Sequence, residues 1–441
     1  MYKLTARLLL YSDLGGDSIL ENLSQIFQAV DHNTTDKETA IRGIYTQIKR
    51  LLDLSTAYGF DGNLWQNYLT FLLITNENSF TLTAERAPSH QRGSVHGFAE
   101  MDFEIFRGLF HYDFAPMEQT LGIDCFSRVT QYKAIPKRAC LYNLSVSQKV
   151  RELSVKLAEC KSGQTMADLI LTHYQNYGVG MFGLNRAFRI RSTGATPEFL
   201  PINNAEPIRL SDLIGYERQK AQLVANTRAF VEGKKANNVL LYGDSGTGKS
   251  SCIKALLNEY YDQGLRMIEI YKHQFTDLSA VIAAVKNRNY RFIIYIDDLS
   301  FEEHEIEYKF LKAVIEGGVE TRPENVLIYA TSNRRHLIRE TWGDRADMQH
   351  DPDAEIHRSD TIEEKLSLSA RFGVTINFSS PDRQLFYDIV DTLTQREGII
   401  IDREVLHREA NRWEIRHGGV SGRAARQFVD HLLTQYPTTK D

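Results

Sequence analysis

The sequence predicts an α/β protein in two parts: a mainly α-helical N-terminal domain, then a P-loop domain with a five-stranded parallel sheet and a C-terminal helical lid. Three observations predict it. Apolar residues recur at helical spacing through the first 190 residues. After residue 207, short apolar runs rich in Ile, Val and Tyr alternate with amphipathic stretches, the pattern of a parallel sheet with crossover helices. A glycine-rich octapeptide, 243–250, lies where one such run passes into the next helix.

The bulk numbers suit that reading. At 441 residues the chain is too long for one ordinary domain. With 42% hydrophobic and 25% charged residues it can bury real cores. A net charge of -5 excludes a whole-molecule basic field for gripping nucleic acid, though not a local basic groove. The cysteines Cys125, Cys140, Cys160 and Cys252 form no C-x-x-C pair and no zinc spacing, so they read as buried free thiols of a reducing compartment. The N-terminal apolar stretch is too short for a secretory signal, and no run reaches the ~18 residues of a membrane helix. A cytoplasmic address and no membrane partner are expected.

In chain order, residues 1–190 are expected to form a mainly helical domain. Ser18 and Glu21 make a capping-box pattern ahead of the stripe Ile19, Leu20, Leu23, Ile26, Phe27 and Val30. Further stripes run through Ile41, Ile44, Tyr45, Ile48, Leu51 and Leu52; through Leu64, Trp65, Tyr68, Leu69 and Leu72; and through Val146, Val150, Leu153 and Leu157. The stretch from Thr83 to Glu104 reads as loop-rich, with His90 and His96 as surface residues. Residues 191–207 hold three prolines in a polar setting and read as a linker. The P-loop core is expected over 208–380, with strands at 237–242, 266–271, 291–296, 325–330 and 374–379. From 381 to 441 strands cease. Ser380 as N-cap and Pro381 at the first helical position open a helix that stops at Gly398, and two more helices complete the lid.

Gly243-Asp244-Ser245-Gly246-Thr247-Gly248-Lys249-Ser250 matches G-x-x-x-x-G-K-[ST] between a strand and a helix, with Ser251 next in that helix. Glycine permits backbone torsions closed to other residues, so successive N–H groups can wrap phosphates. The helix N-terminus adds its unpaired N–H groups and dipole. These nine residues are the expected cradle for ATP, with Lys249 neutralising the β- and γ-phosphates and the Ser250 hydroxyl on Mg2+. The 291–296 strand ends in Asp297-Asp298, roughly fifty residues after the loop. Asp297 is placed to hold Mg2+ and Asp298 to deprotonate the attacking water.

Asn333, just past the tip of the 325–330 strand, is within reach of that water or the γ-phosphate. Arg371 precedes the last strand. Such an arginine can enter a neighbouring subunit's site and stabilise transition-state charge, an effect of about 10³ to 10⁵ in rate; packing on Phe372 is its plain alternative. Arg423 falls in the first turn of the final helix, where a cation opposes the helix dipole, so an anionic partner such as a nucleotide phosphate is expected. The polar segment 342–365 reads as a solvated insertion or an interface.

Together these residues resemble the AAA+ ATPase superfamily over roughly 205–435, in the order P-loop, acidic pair, sensor 1, arginine finger, last strand, helical lid with sensor 2. The wording of IGYERQKAQLVANTRAF, DDLSFEEHEIEYKF, VLIYATSNRRHLI and EEKLSLSARFG is similar to an uncharacterised bacterial family of predicted AAA+ ATPases, a domain of unknown function. The resemblance implies Asn333 as sensor 1, Arg371 as a finger acting in trans and Arg423 as sensor 2. It also implies a homo-oligomer that hydrolyses ATP with Mg2+ to remodel or load a macromolecular partner, protein or nucleic acid. One departure stands out: most members carry glutamate where this chain has Asp298, with Glu302 and Glu303 near in sequence. A nucleotide-gated binding switch with little turnover is therefore the alternative. A P-loop kinase fits the octapeptide alone but not the arginines, and no N-K-x-D motif supports a GTPase.

Overall fold

The computed structural model describes residues 1–15, 17–85, 93–135, 144–192, 197–203, 205–301, 305–316, 323–334, 337, 368–417 and 419–438. They divide into two compact units, Met1–Arg186 with Pro201–Ala205, and Ala187–Leu200 with Glu206–Asp441.

The first unit is helical. Its longer helices are α1 (Ile19–Asp31), α2 (Lys37–Tyr58), α3 (Leu64–Thr75), α4 (Ser94–Phe110), α5 (Leu144–Ala158) and α6 (Gly163–Tyr177). Side chains of Asp36, Asn63 and Ser162 accept the N3 amides of α2, α3 and α6, satisfying donors that have no partner inside a helix. The expected stripes face one core, except that Tyr45 of α2 is exposed: Leu20, Leu23 and Phe27 of α1, Ile44 and Leu51 of α2, Leu64, Trp65 and Leu69 of α3, and Val146, Val150 and Leu157 of α5 are buried. Trp65 Nε1 donates to Leu109 O at 2.8 Å, so its one polar atom is satisfied inside that core.

Three local expectations need correction. Ser18 makes no side-chain cap bond. Its hydroxyl lies 3.1 Å from the Tyr68 hydroxyl, and that oxygen accepts the Leu20 N–H at 3.0 Å, so a tyrosine of α3 satisfies the start of α1. The stretch read as loop-rich holds the first eleven residues of α4, whose polar, glycine-bearing first turn hides a buried face of Ala99, Phe103, Phe106 and Leu109. His96 is accordingly a buried residue of that first turn, its Nδ1 accepting the Gly93 N–H at 3.0 Å. His90 lies outside the described residues.

The second unit is a P-loop α/β fold on a seven-stranded sheet in the order β2-β1-β4-β5-β6-β3-β7. All five expected strands are present: β3 (Val239–Gly243), β4 (Leu265–Glu269), β5 (Arg291–Ile296), β6 (Val326–Ser332) and β7 (Val374–Phe378). They pair in parallel, with Leu241 of β3 opposite both Thr331 of β6 and Ile376 of β7. Two strands were not expected. β1 (Ala187–Arg191) pairs in parallel with β4, and β2 (Glu198–Pro201) forms the edge beyond it. β1 alternates buried Phe188 and Ile190 with outward Arg189 and Arg191, and β2 has four residues, so neither offers a sustained apolar run. The stretch read as a linker thus carries β2 and the end of β1.

Among the described residues, the α-helices α7 (Glu217–Val231), α8 (Lys249–Tyr260), α9 (Leu278–Val285) and α10 (Glu307–Glu316) accompany the strands. The lid is α11 (Arg383–Glu397), α12 (Arg403–His417) and α13 (Gly422–Leu432), packed around Phe386, Val390, Ala410, Ala425, Phe428 and Val429. Ser421 caps α13, accepting the Ala424 N–H at 3.1 Å. The cap of α11 is Asp382 rather than Ser380: Asp382 accepts the Leu385 N–H at 2.8 Å. Cys125, Cys160 and Cys252 are buried free thiols, and Cys140 lies outside the described residues. No described helix is long and apolar enough to cross a membrane.

Candidate functional site

β3 lies between β6 and β7, so the loop that leaves it emerges at the C-terminal edge of the sheet beside the tips of both neighbours. Gly243 has φ 129°, and a Cβ there would lie 2.2 Å from Phe378 O of β7. Gly246 and Gly248 follow at φ 76° and 91°, turning the backbone through the left-handed region into the start of α8. The Asp244 carboxylate accepts both the N–H (2.6 Å) and the hydroxyl (2.9 Å) of Ser380, between β7 and the lid. Those two bonds hold the Asp244 carboxyl below the usual carboxylate range. Gly246 O accepts the Arg423 N–H at 3.2 Å, which ties the loop to α13 as well.

Lys249, in the first turn of α8, is buried, and its ammonium donates to Gly243 O at 2.8 Å, Asp244 O at 2.6 Å and Asn333 Oδ1 at 3.1 Å. Burial pulls its pKa below the ordinary lysine value against the opposing pull of Asp244, Asp298 and Asp297. Ser250 Oγ donates to Asp297 Oδ1 at 2.7 Å. The same oxygen receives Thr331 Oγ1 at 2.6 Å. Burial works to raise the Asp297 carboxyl, but the hydrogen bonds from Thr331 and Ser250 outweigh it and hold the group ionised, below its usual value. Asp298 has φ 51°, its N–H donates to Thr331 Oγ1 at 2.9 Å, and its Oδ1 accepts Asn333 Nδ2 at 2.8 Å.

These groups open on one cleft of about 920 Å³ that also takes in Ser251, the Arg423 side chain and an apolar end formed by Ile214, Tyr216, Ile389 and Leu393. Arg396 of α11 closes that end, donating to Ser211 O at 2.9 Å and Asp212 O at 3.0 Å. Three described non-glycine residues have positive φ, and two of them, Tyr216 and Asp298, line this cleft. Backbone strain of this kind concentrates at functional sites.

The structure therefore brings together the phosphate loop, Lys249, Ser250, Asp297, Asp298, Asn333 and Arg423. Arg371 does not join them: it forms an ion pair with Glu316 of α10, and its Nη1 is buried without a hydrogen-bond partner among the described residues. Glu302, Glu303 and the 342–365 segment lie outside the described residues. Sequence reasoning missed Thr331, Tyr216 and Arg396. Thr331 stands two residues before Asn333, which drew the attention at that strand tip, and Tyr216 and Arg396 meet only through the tertiary fold.

A family profile described as "Protein of unknown function (DUF815)" matches residues 184–436. Replication factor C large subunit of Aeropyrum pernix is 28% identical over 102 residues, a match that spans 21% of this chain and 21% of that protein. Among solved structures, a Thermotoga maritima RuvB mutant aligns with a TM-score of 0.35 at 15% identity, covering 50% of this chain and 64% of that one. The FIGL-1 AAA domain in complex with ADP aligns at 0.33 and 18% identity, covering 50% of this chain and 70% of the other.

Proposed function

From the premise that the chain belongs to the family of unknown function matched over residues 184–436, we propose that it is an AAA+ type ATP hydrolase dependent on Mg2+. The observation that carries the proposal is the hydrogen-bonded chain Lys249, Asn333, Asp298, set beside the Ser250–Asp297 pair on one cleft. A phosphate cradle, a hard-oxygen pair and a candidate base converge there, as hydrolysis of a triphosphate requires.

The oxygens of Ser250 and Asp297 fit Mg2+, which takes few protein ligands and keeps several waters and phosphate oxygens. When bound, the ion supplies charge neutralisation of the phosphates. The loop amides and the α8 N-terminus bind the phosphate oxygens, and Lys249 adds a point charge. The apolar end at Ile214, Tyr216, Ile389 and Leu393 suits a flat purine base. Asp298 takes the proton of a water that attacks the γ-phosphorus while the bond to the ADP oxygen breaks, and Asn333 orients that carboxylate and the water. Arg423, projecting from the lid, offers positive charge to the transferred group.

Arg371, set apart from its own chain's cleft, fits a finger for a neighbouring copy in a homo-oligomer. The helical unit then contacts the macromolecule, protein or nucleic acid, that ATP turnover remodels or loads. A nucleotide-gated switch with little turnover has one observation in its favour: the short Asp298 side chain is held by Asn333.

Two substitutions test the proposal. Lys249→Ala is expected to abolish Mg·ATP binding. Asp298→Asn is expected to keep binding and lower phosphate release by about 10² to 10⁴. Unchanged Mg·ATP affinity in Lys249→Ala defeats the whole reading. Tight binding with only trace phosphate release in the wild type selects the switch.

A further inference from the structure

The geometry points to Thr331 as a positioning residue for ATP hydrolysis, its one hydroxyl fixing both the Asp297 carboxylate and the backbone that carries Asp298. The inference rests on the hydrolytic reading above. Thr331 is 2% exposed within β6, and its Oγ1 donates to Asp297 Oδ1 at 2.6 Å while accepting the Asp298 N–H at 2.9 Å. A hydroxyl has one proton. With an amide donating to it, that proton is left for the carboxylate, so the rotor has a single setting and Asp297 is kept as the acceptor. The Thr331 carbonyl in turn accepts the Leu299 N–H at 2.7 Å, so the main chain is held on both sides of the Asp298 side chain.

That grip matters because Asp298 has φ 51°, a conformation uncommon for a side-chain-bearing residue and stable only where its surroundings hold it. Aspartate is also one methylene shorter than glutamate, so its carboxylate reaches the attacking water only if its Cα is well placed. β6 therefore addresses Asp298 twice: Thr331 sets its backbone, and Asn333 takes its Oδ1 at 2.8 Å. Removing the hydroxyl leaves the Asp298 amide without its acceptor and takes one of two donors from Asp297.

The test compares full-length wild type, Thr331→Val and Thr331→Ser in three readings: hydrogen exchange at the Asp298 amide without nucleotide, Mn2+ affinity of the ATP-loaded protein by electron paramagnetic resonance, and kcat. Thr331→Val is expected to lose protection at Asp298 and to lower Mn2+ affinity and kcat on the order of 10- to 100-fold each. Its affinity for metal-free ATP stays unchanged, and Thr331→Ser recovers most of all three. Wild-type Mn2+ affinity and kcat in Thr331→Val overturn the inference, even if its melting temperature falls. So does a Thr331→Ser that fails like valine, since the methyl group then carries the effect. Should Thr331→Val not fold, Thr331→Ala against Thr331→Ser decides in the same way. A wild type that binds no Mg·ATP overturns the hydrolytic reading instead, and the Asp298 amide alone then reports on Thr331.

Discussion

At the scale of single residues, burial decides which groups carry charge. His173 of α6 is 6% exposed, and desolvation, with Lys149 adding to it, pushes its pKa down to about 4. In the unfolded chain the value returns to about 6.5. Between those values the unfolded state binds a proton that the folded state refuses. Stability is then full above pH 6.5 and falls as the pH drops toward 4, by about 3 kcal/mol. Urea unfolding at pH 7.5 and 4.5 checks this: His173→Gln is expected to lose less stability over that interval than wild type, and an equal loss rules the argument out. The same scale marks how far sequence reasoning reached into the site. Lys249, Ser250 and the two aspartates were legible because phosphate and metal chemistry confine them to fixed places after strands. Asn333 was legible from its place past a strand tip. Thr331 was not: in the sequence it is one of several polar residues just past the 325–330 run, and its hydroxyl becomes informative once Asp297 and Asp298 are seen beside it.

Among elements, the strands flanked by long apolar runs were readable, and those carried by pairing were not. β3 to β6 have largely apolar sequences because they lie inside the sheet, while β7 forms the edge opposite β2 and alternates exposed Thr375 and Asn377 with buried Ile376 and Phe378. β1 and β2 lie toward one edge, where alternation with arginine and a terminal proline blunt the pattern. α4 was obscured in a different way. Its start is polar and glycine-bearing, and one face packs on α6 at very short range: a Cβ on Gly163 would lie 2.7 Å from Glu100 O and from Glu104 N. Gly163→Ala is therefore expected to push α6 off α4 and destabilise the helical unit by about 1 to 3 kcal/mol. Nucleotide affinity should be unaffected, because the cleft belongs to the other unit. Thermal unfolding alongside ATP titration checks both halves. By contrast, Gly243→Ala drives a Cβ into Phe378 O and is expected to weaken nucleotide binding as well as stability.

For the whole molecule, the open matter is whether one chain suffices for turnover. The cleft of a single copy is lined by the 245–250 turn, Asp298 and Arg423, but not by Arg371. If Arg371 acts on a neighbour, Arg371→Ala and Lys249→Ala are each inactive alone, and a mixture regains part of the activity. In mixed oligomers of that kind a Lys249→Ala copy would supply the arginine and an Arg371→Ala copy would bind the nucleotide. Activity should also rise more than linearly with protein concentration. A mixture no more active than its components, with turnover proportional to concentration, confines Arg371 to its bond with Glu316.

The two attachments of the phosphate loop, Asp244 to Ser380 and Gly246 to Arg423, have a mechanical consequence. They make the loop and the C-terminal helices parts of one linkage, pinned at both ends of the turn. A pull on those helices reaches the turn through hydrogen bonds rather than through slack chain, and a change in the turn's shape is passed back along the same short route. The helices cannot swing clear of the turn without breaking those bonds.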